Sequence, residues 1–72
     1  MTYAMVYAEN GDVVGMYTSR KDALERLAAF IELHPEIQDD IGLRPYEGGL
    51  PAGPYEAAVD LLGDRVTHQH LG

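Results

Sequence analysis

Apolar and polar positions change their period twice along this chain, and the changes mark out its elements. Thr2–Ala8 (TYAMVYA) and Val13–Thr18 (VVGMYT) are rich in β-branched and aromatic residues and carry no charge. Between them stands Glu9-Asn10-Gly11-Asp12. Asn-Gly between two β-prone runs predicts a hairpin closed by a type I′ turn, because that turn needs positive φ at both central positions. In that register Ala8 faces Val13, Val6 faces Gly15 and Ala4 faces Tyr17. On the opposite side Tyr7 faces Val14, Met5 faces Met16 and Tyr3 faces Thr18. Both faces of such a hairpin are largely apolar, whereas a hairpin with one wet face shows polar alternation there. Two strands are also too few to stand alone. Each face therefore calls for a cover.

The next stretch, SRKDALERLAAFIELH from Ser19 to His34, has a helical period. Leu24, Leu27, Ala28 and Ile31 fall at i, i+3, i+4 and i+7 and form one stripe, which Ala23, Phe30 and His34 widen. Ser19 is an N-cap residue with Asp22 three positions on, where a carboxylate suits the positive helix end. Pro35 ends the helix by disfavouring the α conformation at His34. Leu33 lies across the wheel from Leu24, on the polar side.

Beyond Pro35 the pieces are shorter. His34–Gly42 reads as a connector with one helical turn that starts at Pro35 and is closed by Gly42. Leu43–Glu47 (LRPYE) is a candidate third strand, placed at a sheet edge because Pro45 has no N–H. Gly48–Gly53 (GGLPAG) is a loop by composition. Pro54–Leu62 (PYEAAVDLL) reads as a short second helix, with proline at its first position and Gly63 as its cap. Asp64–Gly72 is a short strand or a fraying tail. The expected fold is α+β: a small antiparallel sheet, formed by the hairpin and the third strand, packed on one main helix with a second short helix, in the order β-β-α-β-α. Residues 1–66 form a single domain and residues 67–72 a flexible tail.

Composition narrows the function. At 72 residues the chain has room for one modest core, and chains of this size commonly gain stability from a staple or a partner. There is no cysteine, so disulfides and thiolate metal sites are excluded. No apolar run reaches membrane-spanning length and the N-terminus has no signal-peptide pattern, which predicts a soluble, cytoplasmic protein without a membrane partner. Twelve acidic against five basic residues give a net charge of −7, which repels nucleic-acid phosphate. Nucleic acid is therefore not an expected partner unless Arg20, Lys21, Arg26, Arg44 and Arg65 converge in space.

Candidate chemistry is sparse. His68 and His70 form an H-x-H pair that would share one face of a strand, as two ligands of Zn²⁺ or Ni²⁺ do. No third ligand stands at a fixed spacing from them. Asp39 and Asp40 are adjacent and diverge, unlike the paired carboxylates that face each other across a glycosidase cleft. The glycines at 48, 49 and 53 precede a helix, but the phosphate-binding lysine is missing and Glu47 and Glu56 flank the loop. These features predict no enzyme and no cofactor. The tyrosines and methionines are more informative, since both types are enriched at association surfaces. Tyr3, Met5, Tyr7, Val14 and Met16 would share one hairpin face, and Leu33 is the apolar residue left on the outer side of the helix.

Thr18, Ser19, Asp22, Ala23, Leu24 and Leu27, following a hairpin, resemble the front half of small HicB-type antitoxin domains. The resemblance ends at Pro35 and carries no functional residues; it implies the β-β-α start of the fold. The expected function is a small acidic, non-enzymatic interaction module of a regulatory, antitoxin-like or phage-accessory kind. It would bind itself as a homodimer, or bind a protein partner, through Tyr3, Met5, Tyr7, Val14, Met16 and Leu33. The alternative is a metal- or small-ligand-binding protein that uses His68 and His70.

Overall fold

The computed structural model of the chain describes residues 1–63. They form an α+β fold in the order β-β-α-β-β-β-α. Strands β1 (Thr2–Tyr7), β2 (Val13–Tyr17), β3 (Ile41–Glu47), β4 (Leu50–Pro51) and β5 (Glu56–Ala57) make one antiparallel sheet. Its order is β2-β1-β3-β4, with β5 also paired to β3. Helix α1 (Arg20–Leu33) crosses one face, a 3-10 turn follows at Pro35–Ile37, and residues 58–63 form a second short helix, α2.

The first hairpin forms, but not with the expected turn. Asn10 keeps a negative φ, and only Gly11, at φ 73°, enters the left-handed region. Four residues, Ala8–Gly11, make the loop. Gly11 N–H donates to the Tyr7 carbonyl (2.8 Å), Tyr7 N–H to the Asp12 carbonyl (3.0 Å), and Asp12 N–H to the Asn10 side-chain oxygen (2.9 Å). The longer loop shifts the register by one residue: Tyr3 faces Tyr17, Ala4 faces Met16 and Met5 faces Gly15. A bulge then brings Val13 opposite Val6. A one-residue slip moves side chains to the other face, so Met16 leaves the Tyr3–Met5–Tyr7 side. The two-residue turn with positive φ at both positions occurs instead at Gly48 (60°) and Gly49 (81°), which join β3 to β4 inside the stretch expected to be loop.

The core lies between the sheet and the two helices. Met5, Ile41 and Leu43 from the sheet meet Ala23, Leu27 and Ile31 of α1 and Ala58 and Leu62 of α2, with Tyr3, Tyr7 and Tyr17 packed at its margin. Ser19 caps α1 as its sequence predicts, its hydroxyl accepting from Asp22 N–H at 3.1 Å. Arg20 ties the start of α1 to β5 through Glu56 (3.2 Å).

Three expectations past Pro35 are corrected. The third strand starts at Ile41 rather than Leu43, so Gly42 lies in a strand and closes no helix. That strand is not an edge, since it has β1 on one side and β4 and β5 on the other. Pro45 is tolerated because its missing N–H faces the gap between the two short strands, where its carbonyl accepts from Ala52 N–H (2.8 Å). The second helix begins at residue 58, because Glu56 and Ala57 pair with Leu43 and Gly42 first. A side chain at Gly42 would collide with the Glu56 carbonyl and with the Tyr55 ring at 2.8 Å, so glycine is what admits β5 there.

Candidate interaction surface

The register divides the sheet into two faces with different covers. Tyr3, Met5, Tyr7, Gly15, Tyr17, Ile41 and Leu43 share the helix side. Ala4, Val6, Met16, Gly42 and Arg44 share the other. Ala4 and Val6 are buried yet stand apart from the core cluster, as this division requires. Over β1 and β3 the second face is closed from within the chain. Tyr55 fills the space above Gly42, and the Arg44 guanidinium (Nε) donates to the Gly53 carbonyl at 2.9 Å. A small cavity of about 80 Å³ remains among Val6, Arg44, Tyr46 and Tyr55.

Over β2 that cover ends. Val13 is 47% exposed, Val14 40% and Met16 47%. Among the described residues β2 pairs with β1 alone, which leaves its other backbone edge without a strand partner there. The strand Val13–Tyr17 carries no lysine, proline or charge on that edge, and its bulge at Val14 is the one device there that disturbs regular pairing. Beside it runs a groove bounded by Met16, Tyr17 and Thr18 and, from α1, by Asp22, Glu25 and Arg26.

The residues expected to bind a partner are therefore not one surface. Met5 is fully buried and Tyr3 and Tyr7 pack against the core. Val14 and Met16 stay exposed on β2, and Leu33 is exposed (77%) at the far end of α1, on a different element. Val13 belongs with Val14 and Met16 and was not singled out from the sequence. Its signal was the uncharged VVGMY run, whose meaning depends on β2 being the outer strand.

His68 and His70, and with them the expected metal pair, lie outside the described residues, as do Arg65 and the expected tail. Among the described residues no three His, Asp or Glu side chains are grouped as a metal site needs. His34 sits at the end of α1, where its ring contacts Phe30 (5.2 Å) and its Nδ1 lies 3.5 Å from Glu36. Arg20, Lys21 and Arg26 are on α1, whereas Arg44 is on the face of the sheet that α1 does not cover. These four cations do not form one patch.

Among the described residues two groups have displaced proton affinities. Hydrogen bonding and attraction to Glu56 raise the Arg20 pKa further. Burial raises the Tyr55 pKa, and the negative charges of Asp40 and Asp60 add to it. The Tyr55 hydroxyl is shielded from solvent and has no hydrogen-bond partner among the described residues.

Comparison with protein-family models, with curated proteins and with solved structures found no match to this chain. The resemblance to HicB-type antitoxin domains accordingly goes no further than the shared β-β-α order.

Proposed function

We propose that this protein is a small acidic, non-enzymatic interaction module that works in the cytoplasm, and that its interaction surface is the open side of β2. One observation carries the reading: the exposed apolar side chains Val13, Val14 and Met16 lie on the strand whose outer edge no other described strand pairs. An added strand gains main-chain hydrogen bonds from such an edge and side-chain contacts from the alternate residues beside it. The cysteine-free composition suits a reducing compartment. Cations distributed over α1 and the opposite sheet face, on a chain of net charge −7, favour a polypeptide over a nucleic acid as the partner.

A photo-cross-linking residue at position 16, irradiated in the producing cells, tests the reading, with positions 33 and 50 as exposed controls. The expected result is a covalent adduct to a polypeptide from position 16 and none from position 50. Adducts from the controls with none from position 16 would place the interaction elsewhere and overturn the assignment.

A further inference from the structure

We propose that Asn10-Gly11 is a self-modification site: the loop that closes the β1–β2 hairpin deamidates at Asn10 when the Gly11–Tyr7 hydrogen bond opens, and the isoaspartyl product unlocks that hairpin. The reaction needs only water, and it stands apart from the interaction reading.

Asn10 is the chain's single asparagine, and glycine follows it. Both residues are exposed. The nucleophile is the Gly11 backbone nitrogen, and the electrophile is the side-chain carbonyl carbon (Cγ) of Asn10, one residue back. A side chain at position 11 would crowd that nitrogen. Glycine has none, and nothing lies within 4 Å of where its Cβ would stand. The Asn10 side-chain oxygen accepts from Asp12 N–H at 2.9 Å. That oxygen takes up negative charge as the nitrogen attacks, so the Asp12 amide is placed as an oxyanion donor. One contact opposes the step. Gly11 N–H donates to the Tyr7 carbonyl at 2.8 Å, which holds the proton that the nitrogen must lose. The folded loop thus carries an activated carbonyl beside a restrained nucleophile, and opening of that one bond sets the rate.

In the first step the bond from the Gly11 nitrogen to Cγ forms and the Cγ–Nδ2 bond breaks. The Gly11 proton leaves with the side-chain nitrogen as ammonia, and a five-membered succinimide remains. Water then adds to one of its two carbonyls. Cleavage between Cγ and the Gly11 nitrogen gives aspartate at position 10. Cleavage on the backbone side gives isoaspartate, whose main chain runs through Cβ and Cγ and is one carbon longer. Both products add a negative charge between Glu9 and Asp12, on a chain that already carries −7. They differ in what they do to the loop. Aspartate keeps an oxygen for the Asp12 N–H. Isoaspartate displaces Gly11 by the inserted carbon, and the Gly11–Tyr7 and Tyr7–Asp12 bonds cannot both be kept. β2 begins at Val13, so the loss reaches the strand.

The test uses the full chain, incubated folded and, in the same mildly alkaline buffer, unfolded in guanidinium chloride. Peptide mapping with isoaspartate-specific methylation reads both products at position 10. The folded chain should convert, but at least about threefold more slowly than the unfolded one. The isoaspartyl form, once separated, should lose amide-exchange protection at Tyr7 and Gly11. Asn10→Asp, which supplies the charge without the added carbon, should keep it. Equal rates in the two states, or no conversion of the folded chain while the unfolded chain is consumed, overturns the gated site. An isoaspartyl form with the parent's protection, or an Asn10→Asp chain that loses protection as well, overturns the unlocking.

Discussion

Tyr55 shows how a single side chain can be required for its ring and costly for its hydroxyl. The ring occupies the space that Gly42 leaves, which helps close the second sheet face. The hydroxyl is shielded from water without a partner among the described residues, and an unsatisfied group of that kind costs about 1–3 kcal/mol. Tyr55→Phe keeps the ring and removes the liability, so urea unfolding at pH 7 should find the variant as stable as the parent or more so. The raised pKa adds a pH signature. The folded chain holds the phenolic proton more tightly than the unfolded chain does. Below the ordinary tyrosine pKa, near 10, both states are protonated and the group adds no pH dependence. Above it the unfolded chain ionises first, so stability falls as pH rises toward the folded-state pKa. The difference between parent and Tyr55→Phe should therefore be flat below about pH 9 and widen in favour of the variant above it. A difference that stays flat to pH 11 would mean that the hydroxyl is not desolvated.

Elements depend on a few local contacts that differ in how readily a sequence announces them. The cap of α1 is announced by Ser19 and Asp22 three residues apart, and it forms as read. Ser19→Ala should lower stability by about 1 kcal/mol, read from the urea midpoint at an unchanged m-value. A change below a few tenths would assign the capping energy to water instead. The hairpin turn is announced by Asn10-Gly11 and forms differently. Asp12 accepts from Tyr7 across the loop while its own N–H bonds to the Asn10 side chain, and the resulting four-residue loop carries only one residue in the left-handed region. Local turn preference was outweighed by the register that puts Tyr17 and Met5 against α1 and leaves Gly15 between them under the Tyr17 ring. The same competition moved the start of α2. Pro54 is a favourable first helical residue, but Glu56 and Ala57 gain more by pairing with β3, through a close approach that only Gly42 allows.

At the scale of the whole molecule the main opposing force is charge. A net charge of −7 on so small a body makes the folded state repel itself. The Arg20–Glu56 pair spans two elements but is nearly half exposed at both ends, so it offsets less than about 1 kcal/mol. Salt shortens the screening length from about 30 Å at 0.01 M to about 4 Å at 0.5 M and weakens repulsion more than it weakens that one pair. At a few micromolar chain, Tm should rise by a few degrees between those salt concentrations. A fall would show that attractive pairs outweigh the net charge.

What the sequence determined by itself were the features set by neighbours along the chain. The two β-prone runs, the capped amphipathic helix, the 3-10 turn at Pro35 and the α+β class all follow from local period, capping and proline geometry. The surface did not follow in the same way. Tyr3, Met5, Tyr7, Val14 and Met16 read as one face because a two-residue turn was assumed, and a register one residue away sends the first three to the core and Met16 to the other side. Pairing across strands also decided that β1, and not β2, sits inside the sheet, which left Val13, Val14 and Met16 beside an edge that no described strand pairs. These are contacts between residues far apart in sequence, whose energies are summed over the whole core. No short window of the chain contains both partners, so only the tertiary structure could settle which apolar residues were left for another molecule.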